Sequence, residues 1–213
     1  MNLLDPVWEQ PKPSFNDAQM MCKKVGLAFD EAQPGSVTMV LESLRESHSN
    51  GGALFASFCV GDSRTFDWFA SRNRLAEFDI LPSLLRREDV RVRLPELQIS
   101  FEPTFDAGSQ ACSIATVEGF KMESPFLFDG HLAQALYAGG AYGPKSRPDA
   151  KQAKLLALAV CDDLFEQRFS EISVFNNFDA WTPWFHGIAW DWTAVIFDRR
   201  KRKLSLFAVT DTD

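Results

Sequence analysis

Residues 187–210, GIAWDWTAVIFDRRKRKLSLFAVT, contain two apolar runs, 187–197 and 204–210, on either side of five consecutive basic residues, 199–203. Short apolar runs separated by a polar break are typical of two β-strands joined by a turn. The sequence therefore predicts a β-hairpin in this region.

The register of this hairpin follows from the position of its turn. With the turn near Arg200 and Lys201, the predicted opposing pairs are Trp192–Val209, Thr193–Ala208, Ala194–Phe207 and Val195–Leu206. Because successive side chains of a strand point to opposite faces of its sheet, both faces of the hairpin are then largely apolar. Strands of that kind lie inside a sheet that is covered on both sides. We therefore predict a central hairpin, with Trp190 and Trp192 on one strand face in the core.

A long helix at 148–168 is the expected cover for one face of the hairpin. Pro148 suits its first turn, where a missing N–H has no cost. Its apolar positions follow helical spacing: Ala153, Leu156, Ala157, Val160, Cys161, Leu164 and Phe165. The other predicted helices are one capped by Ser14 with Asp17 in its first turn, then 36–47, 62–72 and 129–138, the last capped by Asp129.

Further strands are expected at 53–60, 90–94, 97–101, 111–117 and 172–175. Helices and strands do not alternate as repeated βαβ units. The pattern favours an α+β fold with a mixed, mainly antiparallel sheet, helices packed on it and the C-terminal hairpin central.

A chain of 213 residues with 46% hydrophobic residues is long enough to fold around its own core. No internal repeat and no Ser- or Gly-rich linker divides it, so we expect a single domain over 1–213. A division into an N-terminal lobe, 1–125, and a C-terminal lobe, 126–213, is left open.

The four cysteines, Cys22, Cys59, Cys112 and Cys161, lie far apart within apolar stretches and form no CxxC pair. Such cysteines are typical of buried thiols in a reducing compartment. There is no charged-then-apolar leader and no apolar run of about 20 residues. The expectation is a cytoplasmic protein without a membrane partner.

The formal net charge of -7 makes nucleic acid an unfavourable partner, because an acidic surface repels phosphates. The basic run 199–203 is interpreted as the solvated tip of the hairpin. The alternative for this run is a site for an anion or an acidic partner.

Motifs for cofactors and metals are missing. In GGAYGPKS, residues 139–146, Pro144 separates glycine from lysine and the segment follows a helix, so it is not a phosphate-binding loop. None of the three histidines has a partner at metal-ligand spacing. The carboxylates of Asp191, Asp211 and Asp213 are the closest candidates for a cation, and the expectation is no cofactor and no metal.

The segment 178–186, FDAWTPWFH, is the one unusual feature of the sequence. Trp181 and Trp184 flank Pro183 in a predicted loop, where they either pack under the fold or anchor a partner. His186 and Asp191 are candidates for an acid–base pair, with Asp211 close by across the hairpin.

Two functions remain compatible with these residues and patterns. The favoured one is a small acidic binding protein, of the inhibitor or immunity type found in bacteria, whose partner is another protein with a basic surface and whose anchors are Trp181 and Trp184. The alternative is a hydrolase-like enzyme with a site around His186, Asp191 and Asp211.

Overall fold

The computed structural model describes residues 3–99, 119–142 and 148–213. In these ranges the helices are α1 Phe15–Lys24, α2 Gly35–Ser47, α3 Arg64–Ser71, α4 Ile80–Leu85, α5 Glu88–Arg91, α6 Phe128–Ala138 and α7 Ala150–Phe165. The strands are β1 Leu27–Asp30, β2 Gly52–Val60, β3 Lys121–Glu123, β4 Ile172–Asn177, β5 Trp192–Asp198 and β6 Lys203–Thr210.

The strands form one sheet in the order β1-β2-β6-β5-β4-β3, and every neighbouring pair is antiparallel. The hairpin of β5 and β6 occupies its centre. The predicted α+β fold with a central C-terminal hairpin is therefore confirmed.

The predicted register of the hairpin is also confirmed, since Trp192 opposes Val209 and Val195 opposes Leu206. The predicted start of the first hairpin strand, Gly187, is wrong, because β5 begins at Trp192. Trp190 lies in the preceding turn and is half-buried, so the prediction that it shares a core strand face with Trp192 is wrong.

Helices cover both faces of the sheet and create two apolar cores. The first face packs against α1, α3, α4 and α5 through β-strand residues such as Phe58, Val195 and Leu206. The second face packs against α2, α6 and α7 through residues that include Trp192 and Phe207. The long helix α7 covers the second face as predicted.

Local capping explains where the two best-predicted helices begin. Ser14 and Asp17 form a reciprocal capping box at α1, and Asp149 and Gln152 form another at α7. In each, a side chain at the N-cap satisfies a free N–H while the side chain three positions on satisfies the N-cap amide. Asp129, predicted as a cap, instead lies inside the first turn of α6.

The prediction of two strands at 90–94 and 97–101 is wrong over the described residues 90–99. Residues 88–91 form α5, and Pro95–Leu97 form a 3₁₀ turn. Val90, Leu94 and Leu97 are all buried against the first core. Their spacing of four and three residues places them on one side of a helical chain, so packing overrode the alternation with arginine. The strand predicted at 111–117 lies outside the described residues.

The prediction that the basic run 199–203 is a solvated tip is also wrong. The Arg202 side chain is buried and its Nη1 lies 2.7 Å from Asp67 Oδ1. Lys203 pairs with Asp30 at 2.5 Å, and Arg200 and Lys201 pair with glutamates near the end of α7 and the start of β4. Acidic side chains from distant segments reach the turn and neutralise it, which sequence position did not indicate.

Cys22 and Cys161 are buried and Cys59 is half-buried, and these three cysteines are free thiols. Burial raises the pKa of Cys22 to about 11 and that of Cys161 to about 12, as expected for unreactive core thiols. Cys112 lies outside the described residues. Over the described ranges, the helices are all too short or too polar to cross a bilayer.

Candidate functional site

The loop between β4 and β5, residues 178–191, is organised by one carboxylate. Asp191 Oδ2 accepts hydrogen bonds from the backbone N–H groups of His186, Gly187 and Ile188, at 3.0, 2.5 and 3.2 Å. Its other oxygen accepts from the Thr210 hydroxyl of β6. Three consecutive amides bound to one carboxylate hold the end of this loop in a single conformation.

The aromatic side chains of the loop divide between the two faces of the sheet. Trp181, Trp184 and Phe185 pack against the first core, and Trp181 Nε1 donates to Thr193 Oγ1 at 2.8 Å. Trp181 and Trp184 are both half-buried, so each is partly core and partly surface. Phe178 lies on the side of the second face and is 51% exposed.

The structure does not bring the side chains of His186 and Asp191 together as an acid–base pair. The contact between them runs through the His186 backbone, and the His186 side chain is exposed. Among the described residues its imidazole has no hydrogen-bond partner. Asp191 is 2% exposed and uses both oxygens to hold the backbone and Thr210.

Asp211 has a similar structural task one residue beyond β6. Its Oδ1 accepts from the Asn50 amide at 2.9 Å and its Oδ2 from the Ala141 amide at 2.7 Å. A Cβ atom at Gly140 would lie 1.9 Å from Asp211 Oδ2, so only glycine fits there. Asp211 therefore joins the ends of α2 and α6 to the central strand.

A cavity of about 110 Å³ lies beside Asp191, between the end of α2, the inner side of α6 and the loop. The residues that bring polar or aromatic groups to its wall are His48, His131, Gln134, Phe178, Trp190, Asp191 and Trp192. Of the predicted site residues, Asp191 alone contributes to this wall. Two histidines that the sequence did not single out replace His186 there.

His48 is 2% exposed. Burial lowers its pKa, against the smaller opposing effects of its hydrogen bond to Leu44 and the nearby Asp211 charge. Its Nδ1 lies 3.0 Å from the Leu44 carbonyl oxygen, which can only accept. The Ser47 hydroxyl, 2.8 Å from Nδ1, donates its own proton to the same carbonyl oxygen, so Nδ1 carries the ring proton. The remaining nitrogen, Nε2, is then an acceptor with a free lone pair.

His131 belongs to a hydrogen-bonded network along the other wall. Its Nε2 lies 2.9 Å from Glu123 Oε2, which also accepts from Asn176 Nδ2 at 2.8 Å. Asn176 Oδ1 in turn accepts from Trp192 Nε1 at 3.0 Å. This chain of contacts fixes the orientation of both rings that face the cavity from this side.

A larger cleft of about 440 Å³ lies at the end of β1 and β2, with Arg202 in its wall. Arg202 Nε and Nη2 donate to the carbonyl groups of Val60 and Gly61, and its Nη1 is ion-paired with Asp67 without a hydrogen bond. The charge of this arginine is already balanced by Asp67, so the smaller cavity is the better candidate for a ligand site. Within the described part of the chain, His, Cys, Asp and Glu side chains form no group of three suited to a metal ion.

The sequence contains no local signal for His48 or His131. His48 follows α2 and His131 lies in α6, and the two line one cavity because α2 and α6 pack side by side on the second face. Phe178, in the unusual segment 178–186, and Trp190, Asp191 and Trp192 are the residues of this wall that the sequence predictions included. No protein-family model, curated protein or solved structure matches this chain.

We predict that the fold is less stable in mild acid because the buried His48 resists protonation. Its pKa in the fold lies below the ordinary histidine value of 6.5, so the unfolded chain binds the proton more readily. The contribution of the neutral His48 to the free energy of unfolding should therefore be complete above about pH 6.5 and decrease as the pH drops toward about 5. Urea unfolding of the wild type and His48→Asn at pH 7.5 and 5.5 measures this difference.

His48→Asn should lose part of the pH dependence of the free energy of unfolding between pH 7.5 and 5.5. The further loss of stability below about pH 4 should persist, because it comes from carboxylates such as Asp30. The pKa of Asp30 is lowered by its hydrogen bond to Lys203. An unchanged difference between pH 7.5 and 5.5 in His48→Asn would assign the effect to another group.

Proposed function

We propose that this chain is a binding protein of inhibitor or immunity type, which recognises a basic partner protein through the loop 178–191 and the cavity beside it. The observation that carries the proposal is the set of hydrogen bonds that three consecutive loop amides donate to the Asp191 carboxylate. A loop held in this way presents a defined surface to a partner.

Preorganisation is the physical advantage of such a loop. A partner that binds a flexible loop must first order it, and that cost reduces affinity. Here Trp181 is tied to β5 by its indole N–H, and Asn177 Oδ1 accepts from the Asp179 amide at 2.7 Å. The half-exposed Phe178 ring is thus offered on an ordered backbone, as aromatic anchors of protein interfaces are.

Charge favours a basic partner. The chain has a formal net charge of -7, and the basic turn between β5 and β6 is neutralised by Asp30, Asp67, Glu166 and Glu171. The remaining acidic surface attracts positively charged proteins and speeds their association.

The hydrolase alternative has weaker support from the contacts. Asp191 and Asp211 use their oxygens to hold backbone amides, and His186 has no carboxylate neighbour among the described residues that would orient its ring. A general base needs a positioned ring and a free proton path. The contacts support a binding surface better than an acid–base site at these three residues.

Affinity capture with a matched pair of variants tests the proposal. Phe178 and Phe15 are each 51% exposed, but Phe15 lies on α1, over the opposite face of the sheet. The immobilised full chain should capture a basic protein from its source cells, and Kd is then measured by calorimetry with that purified protein. Phe178→Ala should weaken binding about tenfold or more, an interface loss of about 1.4 kcal/mol, whereas Phe15→Ala should leave it unchanged.

Association should also slow down in 0.5 M salt, because screening removes the electrostatic attraction. Equal effects of the two variants, or the absence of a stoichiometric partner, would contradict the proposal. Turnover of ester, amide or phosphate substrates that is abolished by His186→Ala would support the enzyme instead.

A further inference from the structure

The negative charge beside the cavity has no cationic counterpart in the described part of the chain. Asp191 is 2% exposed and Asp211 is 0% exposed, yet within the described residues both accept hydrogen bonds only from neutral groups, namely backbone amides and the Thr210 hydroxyl. The described cavity wall contains no lysine or arginine. A buried carboxylate without a cation creates a local negative potential that a positively charged group would relieve.

An unpartnered acceptor points to the same kind of ligand. His48 is 2% exposed and lies in the cavity wall, with Nδ1 satisfied by Leu44 and Ser47. Among the described residues, its Nε2 has no hydrogen-bond partner. A ring nitrogen with a free lone pair in a cavity wall can accept a hydrogen bond from a ligand or from water.

The remaining walls suit a planar cation. Trp190 and Phe178 contribute aromatic rings to the cavity wall, and the faces of such rings attract cations, arginine more often than lysine. A volume of about 110 Å³ is the liquid volume of roughly four water molecules, at about 30 Å³ each. That space accommodates a guanidinium group, whose rigid fork offers several donors where an ammonium offers a compact point charge.

We propose that the cavity binds the guanidinium group of an arginine side chain from the basic partner, an inference that rests on the proposed function. In this arrangement His48 Nε2 accepts from a guanidinium N–H and the Trp190 ring contacts the guanidinium plane. Asp191, which is part of the cavity wall, and Asp211, which lies outside it, balance the charge of the guanidinium group.

A fragment titration tests the site without the partner. The probes are N-acetyl-arginine methylamide, its neutral isostere N-acetyl-citrulline methylamide and N-acetyl-lysine methylamide, followed by NMR at the indole N–H signals and the His48 ring. The arginine probe should give saturable shifts at His48, Trp190 and Trp192. It should bind at least tenfold more tightly than the citrulline probe and more tightly than the lysine probe.

Trp190→Leu and Trp184→Leu are the matched variants, since both tryptophans are half-buried in the same loop but only Trp190 lines the cavity. Trp190→Leu should weaken arginine binding at least tenfold, and Trp184→Leu should not. Equal binding of citrulline, tighter binding of lysine, or shifts confined to residues away from the cavity would each overturn the assignment.

The two proposals fail separately. If the arginine probe binds in the cavity but no partner is captured, the cavity site stands and the proposed function fails. If a captured partner is sensitive to Phe178→Ala but binds Trp190→Leu with unchanged affinity, the arginine site fails and the proposed function stands.

Discussion

Replacing Arg202 with methionine is expected to destabilise the fold by about 3–5 kcal/mol, the usual loss when one partner of a buried ion pair is removed. The Arg202 side chain is 1% exposed, with Nη1 2.7 Å from Asp67 Oδ1. Its Nε and Nη2 donate to the carbonyl groups of Val60 and Gly61. Methionine fills much of the volume but leaves the Asp67 carboxylate and both carbonyl groups without these donors.

Urea unfolding of the wild type and Arg202→Met at pH 7 measures this loss, and Arg200→Met is the matched control. Arg200 belongs to the same basic turn but its side chain is 55% exposed, so its ion pair with Glu171 should contribute less than about 1 kcal/mol. Arg202→Met combined with Asp67→Leu should recover much of the loss, because no unpaired charge is then left in the core. If Arg202→Met loses as little stability as the control, the result would contradict a buried ion pair and support the solvated turn predicted from the sequence.

Replacing Trp192 with alanine is expected to cost about 3–5 kcal/mol, as is typical when an aromatic side chain is removed from a core. Trp192 is buried at the start of β5, and its ring lies 5.9 Å from that of Phe128 and 5.7 Å from that of Phe207, between centroids. Its indole N–H holds Asn176, so the substitution also leaves a buried amide oxygen unsatisfied.

Thermal or denaturant unfolding gives the magnitude, with Trp184→Ala as the control. Trp184 is half-buried in the adjoining loop and should cost clearly less, since less apolar area returns to water. Trp192→Phe separates the two contributions, because it keeps most of the ring packing and removes only the hydrogen bond, which is worth about 1 kcal/mol. A loss below about 1 kcal/mol in Trp192→Ala would mean that this side of the second core is loosely packed.

The central hairpin of the sheet could be predicted from the sequence because it depends on the pattern of neighbouring residues. The alternation of apolar residues in both arms of the hairpin predicted a register that pairs Trp192 with Val209, and the structure has that pair. The capping signal at Ser14 and the apolar face of 148–168 likewise predicted α1 and α7. These features depend on residues a few positions apart, which the sequence displays directly.

Contacts between segments that are distant in the chain could not be predicted from the sequence. The arginine alternation at 90–94 predicted a strand, but burial of Val90 and Leu94 against the first core produced a helix. The charge of the basic turn predicted a solvated tip, but Asp67 of α3 reaches Arg202 within the fold. In both places the deciding partner lies elsewhere in the chain, and its approach depends on how the layers pack.

The sequence by itself thus determined the α+β class, the central hairpin with its register, and the presence of an unusual aromatic loop before β5. Only the tertiary structure decided how that loop is held. Asp191 turns back to hold three loop amides, and the packing of α2 against α6 brings His48 and His131 to one cavity. Periodicity records which faces of a segment are buried, but it carries no record of which segments meet at those faces.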